Sequence, residues 1–413
     1  MLTPAPVLTN LLFRHFFDGL ALAGALAEWA LVCWLLDIAP SPAWHIVVPA
    51  SLAVLNRLAA RRLMREPATG LLAGRTGHVV LATAFGALVA ASVVVALAGV
   101  WSVGWFLGAL TAEAGGYGAA DPAPVFGAGF RWLAGLAVAF TGASVAHGYT
   151  RGYRSLTVTA LTVPVSGLAE AVAGLRVVHL SDLHLGPLAD RTALRDALAQ
   201  ANALEPDLVC VTGDIVDTPA ADLESWIPEL ARLRARHGVF AILGNHDARA
   251  GADRVAAAIR HFTDWRLLRD EVATVPLDGG RLHIVGLEDR LRRDAAERLP
   301  ELLARIPAEE PAILLAHRPG VVDAAAAAGL PLVLAGHTHG GQLAVPGVPR
   351  LNVARLLGMR LDAGTFTRDG TVLHVNRGLG TSGQRVRVGV SREVAVVTLV
   401  PGRAPLTSSA SRR

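Results

Sequence analysis

From residue 79 to 100 the chain reads VVLATAFGALVAASVVVALAGV, longer than the roughly 20 residues that cross a bilayer core and without one charged side chain. Few water-soluble folds can bury such a segment, so it sets the first constraint. Three other stretches, 19–39, 44–60 and 126–146, approach the same length. The 44–60 stretch is the weakest, interrupted by Pro49 and closed by Asn56 and Arg57. Charge shows how local the effect is. Residues 1–150 hold only 7 of the 38 basic residues and 6 of the 34 acids, but six of the eight tryptophans. The whole-chain figures, 52% hydrophobic and 17% charged, therefore average a membrane-like third, 1–150, with a remainder of ordinary soluble character. Two cysteines, Cys33 and Cys210, exclude a disulfide scaffold.

Arginine placement suggests an orientation. Arg57, Arg61, Arg62, Arg65 and Arg75 crowd the region between the second and third stretches, whereas Glu113 and Asp121 lie between the third and fourth with no arginine before Arg131. Short arginine-rich loops stay in the cytoplasm, so four spans would leave both termini, and the soluble part, on the cytoplasmic side of the inner membrane. A cleaved signal peptide ending near Ala39 is disfavoured by the three apolar stretches that follow it. Glu28, in mid-stretch, would cost about 2.5–3.5 kcal/mol in lipid. Either it serves a function there, or it faces the bundle interior protonated or hydrogen-bonded.

After a linker at 151–173, the pattern changes to short apolar runs at 175–180, 208–212, 239–243, 312–315 and 332–334, with helical spacing at 191–203 and 223–236. Strand alternating with helix indicates an α/β domain over 174–401, followed by a small, polar tail, 402–413, expected to be disordered. Nearly every strand run ends in metal-ligand residue types: Asp182 and His184; Asp214 and Asp217; Asn245, His246 and Asp247; His317; His337 and His339. In layered α/β folds the loops at strand carboxyl ends converge, so five loops can build one site. Carboxylate, amide and imidazole donors together suit two divalent transition metals. Read alone, Asp217 fits a turn or cap better than a ligand, and His179, inside a strand, fits plain burial. No GxxxxGK loop occurs and the chain has no lysine, which removes a P-loop nucleotide reading.

Five blocks in this order, DLH, GDIVD, GNHD, H317 and GHTHGG, resemble those of the calcineurin-like metallophosphoesterases. HLSDLHLG and the tail NRGLGTSGQRVRVGVSRE resemble its bacterial YkuE-like and YaeI-like branch. The resemblance implies a four-layer αββα sandwich, here preceded by an all-α transmembrane bundle of about four helices. It also implies a pair of divalent ions (Mn, Fe or Zn). Asp182, His184, Asp214 and His339 would hold the first; Asp214, Asn245, His317 and His337 would hold the second, with Asp214 bridging. A metal-bridging hydroxide would attack a phosphodiester or pyrophosphate. His246 would serve the leaving oxygen, and Asp247 would orient that imidazole. The alternative is a transporter or sensor whose phosphoesterase-like domain is regulatory, but no block residue is missing. A near balance of 31 arginines and 28 acids beyond residue 150 gives no nucleic-acid footprint. The stretch 350–361, within PRLNVARLLGMRL, is either a surface that admits a lipid-linked substrate from the membrane or an ordinary packed loop. Arg377, Arg385 and Arg387 would either bind phosphate or face water.

Overall fold

A computed structural model of the chain describes residues 22–63, 75–114, 123–218, 221–289 and 295–402. The chain divides into two compact units, Met1–Tyr149 and Thr150–Arg413. The proposed tail from 403 onward lies outside the described residues, as do residues 19–21 of the first apolar stretch.

The described helices of the first unit are α1 (Leu22–Leu36), α2 (Trp44–Leu63), α3 (Arg75–Ala114) and α4 (Ala123–Thr150). Among the described residues, two segments are long and apolar enough to cross a membrane, Ala82–Gly108 and Ala128–Thr150. Two of the four expected spans are thus supported among the described residues. The polar Asn56 and the arginines at 57, 61 and 62 dilute α2. Glu28 is buried and accepts a hydrogen bond from Asn56 Nδ2 (3.2 Å), so it follows the second of its two readings.

In the second unit, β1 (Leu156–Ser166) occupies nearly half of the stretch read as a linker. It pairs in parallel, along its whole length, with β14 (Arg392–Gly402). The intervening strands are β2 (Leu175–Leu180), β3 (Leu208–Thr212), β4 (Val239–Ile242), β5 (Arg266–Leu267), β6 (Glu271–Leu277), β7 (Gly280–Leu287), β8 (Ala312–Ala316), β9 (Leu332–Ala335), β10 (Ala344–Val345), β11 (Val348–Asn352), β12 (Gly364–Arg368) and β13 (Thr371–Val375). One six-stranded sheet runs β1-β14-β2-β3-β4-β5 and the other β12-β13-β9-β8-β7-β6. The β6–β7 hairpin has no counterpart among the runs read from sequence. Gly279 turns it at φ 82°, and Pro276 is tolerated because β6 is an edge strand.

Three buried clusters define the layers. Val177, Leu208, Cys210 and Ile242 of the first sheet meet Ile284, Ile313, Leu315 and Leu334 of the second. Outside the first sheet, its opposite residues Val178, Val209 and Val211 pack on α5 (Arg191–Ala203), α6 (Leu223–Leu230) and α7 (Asn245–Phe262). Outside the second, Val285, Leu314 and Val333 pack on α8 (Ala295–Leu303) and α9 (Val322–Ala327). Strands buried on both faces must be apolar at every position, as β2, β3, β8 and β9 largely are. Truncating one such leucine to alanine costs about 2–5 kcal/mol. Helix α6 stops at Leu230 instead of reaching 236, and beyond it the bonds tighten to three-residue turns: Ala231 N–H to Pro228 O, Arg232 N–H to Glu229 O and Leu233 N–H to Leu230 O. Helix α5 starts where Asp190 Oδ1 accepts the Ala193 N–H (3.1 Å).

Candidate metal centre

Parallel strands β2, β3, β4, β8 and β9 each release, within a few residues of their carboxyl ends, the side chains of interest. Five of these residues hold left-handed backbones: Asp182 (φ 51°), His184 (46°), Asp214 (50°), His337 (76°) and His339 (54°). Such conformations cost on the order of 1 kcal/mol or more apiece and persist where the surroundings over-determine them. The surroundings here are each other. Asp182 N–H donates to Gly213 O (3.0 Å), His184 N–H to Asp214 O (2.9 Å), and His337 N–H to both Asp182 oxygens (3.0 and 3.1 Å). The loops approach so closely that a Cβ at Gly244 would collide with Asp214, and one at Gly336 with Ser181 Oγ and Asp182 Oδ2.

Two groups of ligand atoms result. In the first, Nε2 of His184 and Nε2 of His339 stand 3.0 Å apart, with Asp182 Oδ1 at 3.4 Å from His339 Nε2. In the second, His337 Nδ1 lies 3.2 Å from His317 Nε2, which is itself 3.2 Å from Asp214 Oδ2. That same Asp214 oxygen is 3.6 Å from His184 Nε2, so one carboxylate oxygen faces both groups. Within each group every ligand atom lies within 4.8 Å of the others. Asn245 is buried, its Oδ1 meeting Arg318 (3.3 Å), which also reaches His337 Nε2 (3.0 Å).

The electrostatics suit cations. Burial opposes charge on His184, yet Asp182, Asp217 and Asp214 raise its pKa to about 10. Likewise burial is outweighed at His317, where Asp214 and Asp182 raise it to about 9. Burial first, then the charges of His317 and Arg318, lower His337 to about 3. Against the upward push of burial, the imidazoles hold the Asp182 and Asp214 carboxyls well down. A pocket that draws protons onto two buried imidazoles beside carboxylates has the field and the donors that divalent ions require.

Residues 175–341 match the family model of the calcineurin-like phosphoesterases. The chain is 30% identical over 230 residues to an uncharacterised metallophosphoesterase of Aquifex aeolicus, a match covering 54% of this chain and 85% of that one. It belongs to the calcineurin-like metallophosphoesterases. It is also similar to YkuE of Bacillus subtilis (29% identity, 61% of this chain and 89% of the other) and to a bovine transmembrane protein with metallophosphoesterase domain (29%, 64% and 62%). The chain spans 59–62% of the length of the first curated relatives it matches. Membership implies a phosphoester hydrolase that uses divalent metals.

Within this metallophosphoesterase site, the residues around the ligands depart from the sequence reading. Asp217, read as a turn residue, places Oδ1 3.0 Å from His184 Nδ1 and 3.2 Å from His246 Nδ1, and its carbonyl takes His246 Nδ1–H at 2.9 Å. It fixes both rings. Asp247, expected to orient His246, instead accepts backbone N–H groups of Ile215, Val216 and Gly244 (2.8–3.1 Å). The reason is geometric: as the third residue of α7, its carboxylate folds back over the helix start. Burial and the Asp214 charge push its pKa up to about 7, opposed by those amides. His317 Nδ1–H donates to Thr212 O (2.8 Å), which leaves Nε2 for the cluster. His179 is buried on Thr212 Oγ1, as read.

Arg318 was not foreseen. It directly follows His317, a candidate ligand, and only the fold shows that Asp289 (2.7 Å) holds it against His337 and Asn245. Arg387 does not face solvent. It is fully buried, with its guanidinium on the carbonyls of Arg377, Gly378, Gly380 and Ser391. Arg377 pairs with Glu393, and Arg385 lies over the Tyr153 ring.

Proposed function

We propose that this chain is a dimetal hydrolase of phosphodiesters or pyrophosphates, with Asp182, His184, Asp214 and His339 at one ion and Asp214, Asn245, His317 and His337 at the other. The observation that carries the reading is Asp214 Oδ2, within 3.2 Å of His317 Nε2 and 3.6 Å of His184 Nε2. When bound, a divalent pair supplies charge neutralisation at the phosphoryl oxygens and an acidified water.

The chain's own groups do the rest. Asp217 takes the Nδ1–H of His246, so Nε2 is the nitrogen left to meet substrate at the pocket that His246, Arg249 and His337 line. Water loses one proton to solvent and adds to phosphorus as the bond to the leaving oxygen breaks. That oxygen takes a proton from His246 Nε2, and the ring recovers one from solvent, for a contribution of about 10²–10⁴ in rate. Arg318, held by Asp289, positions His337 and Asn245 through its two Nη groups. The pocket continues beyond the ligands to Val353, Leu357 and Met359, which gives a second ester substituent a place and favours a diester over a monoester.

The test is to purify the full chain in detergent, measure bound metal and assay diesters, monoesters and pyrophosphates beside Asp214→Asn. About two metals per chain, with loss of both metal and activity in Asp214→Asn, is expected; an active, metal-poor wild type would refute the reading. We further propose that the chain is a multi-pass protein of the inner membrane with its hydrolase unit in the cytoplasm, supported by the arginines between 57 and 75. Reporter fusions after Tyr117 and Arg151 test this, and an external signal at Arg151 would overturn it.

A further inference from the structure

Among the described residues after 150, eight large apolar side chains are exposed, and seven of them fall between 345 and 359. The segment is not a frayed loop. Strands β10 and β11 form a hairpin, and α10 (Val353–Leu356) follows at once, capped by Asn352 Oδ1 on the Arg355 N–H (3.0 Å). Asn352 is itself buried, its Nδ2 donating to Asp362 Oδ2 (2.6 Å), and Val353 N–H donates to Leu343 O (3.0 Å). A fixed frame therefore holds Leu356 and Leu357 in water at 74% and 71% exposure. Apolar area of this kind is normally covered.

The patch has an inner and an outer part. Val353, Leu357 and Met359 line the pocket that also contains Asp214, His246 and His337. Val348, Leu351 and Leu356 lie outside it. Exposed Arg350 and Arg360 flank the patch, while Arg355 is paired with Asp362 (2.8 Å).

Resting on the hydrolase reading above, we infer that this rim is a lipid-entry face and that the substrate is an amphiphilic phosphoester drawn from a bilayer. Its hydrocarbon lies along the inner apolar wall while its phosphoryl group reaches the metal ligands. The outer residues enter the headgroup boundary, and Arg350 and Arg360 meet anionic headgroups. Three observations select this occupant. The patch is continuous with the catalytic pocket, so a protein bound there would wall off the site. Its flanking charges are both positive, which complements anionic lipid and disfavours a two-fold contact with a second copy. The same chain carries two helices long and apolar enough to cross a membrane, which keeps it at a bilayer.

The test uses the full chain reconstituted in vesicles of equal parts phosphatidylcholine and phosphatidylglycerol. Leu351→Ser/Leu356→Ser, at exposed positions outside the pocket, should lower kcat/KM for a long-chain lipid phosphodiester by about tenfold or more, as expected for removing two partly buried leucines from a lipid contact, while a small soluble diester is cleaved as before. Equal loss on both substrates, or loss on neither, overturns the inference. A second readout needs no turnover. In a Cys33→Ser background, an environment-sensitive dye at Leu356→Cys should be quenched by bromine-bearing phospholipid, and the same dye at Thr367→Cys should not. Equal quenching at the two positions, or burial of the dye at 356 that grows with protein concentration and so marks self-association, would refute the lipid face. A wild type that cleaves neither diester defeats the hydrolase reading, and the quenching result then decides the lipid face by itself.

Discussion

Asp217 Oδ1 stands 3.0 Å from Nδ1 of His184, and that contact decides which nitrogen of the ring faces the metal cluster. Because the same carboxylate lies 3.2 Å from His246 Nδ1, one side chain positions both a ligand and the proposed proton donor. Asp217→Asn should therefore lower metal affinity and activity together, each by about 10–100-fold, with the fold intact. Metal titration followed calorimetrically beside steady-state kinetics checks this. Unchanged affinity would mean that Asp217 serves only the turn.

His246 has a different signature. If it protonates the leaving oxygen, His246→Asn should keep full metal content and lose about 10²–10⁴ in kcat on an alkyl diester. The loss should shrink on a nitrophenyl diester, whose leaving group needs no proton. A uniform loss across leaving groups would indicate binding rather than acid catalysis.

Arg387 acts from beneath. Its guanidinium gathers carbonyls of the 377–380 turn, and that turn in turn braces the first block: Leu379 N–H donates to Ser181 O (3.0 Å) and Gly380 N–H to Asp182 O (2.7 Å). Arg387→Ala orphans several buried acceptors and should destabilise the hydrolase unit by about 3 kcal/mol or more. Arg387→Lys should not rescue it, since an ammonium lacks the planar fork that reaches several carbonyls at once. Denaturant midpoints measure both variants.

Glu229 gives a pH dependence far from the metals. The Arg195 hydrogen bond first, then Arg191 and Arg232, hold its carboxyl down at about 2 from an ordinary 4.5. A carboxyl depressed in the folded state contributes stability above 4.5 and loses it as pH falls from there through 2. Glu229→Gln should thus be less stable than wild type at pH 7, with the gap closing progressively in acid below 4.5. Denaturant midpoints at several pH values provide the check. A gap that stays constant in acid would mean the triple arginine contact is energetically idle.

Much of the hydrolase unit was legible in the chain itself. Runs such as 175–180 and 208–212 are apolar at nearly every position because their strands are covered on both faces, and the five polar blocks at strand ends announce a metal site through residue type and order alone. Strands β1 and β6 were not legible. Both are edge strands, covered less completely, so their patterns are mixed and β1 resembled a linker. Apolar run length likewise does not by itself establish a span: the 44–60 run carries Asn56 and Arg57, and α2 is not among the helices apolar enough to cross a bilayer.

The sequence by itself determined the candidate ligand residues, the family resemblance and the division of the chain at about residue 150, since each depends on residue type and local order. Only the tertiary structure decided which carboxylate serves which ring. By sequence Asp247, next to His246, is the obvious partner and Asp217, 29 residues away, is not, but the fold turns Asp217 toward two imidazoles and aims Asp247 at three backbone amides. It also buried Arg387 and left Leu356 in water, because solvent exposure is a property of neighbours distant in the chain.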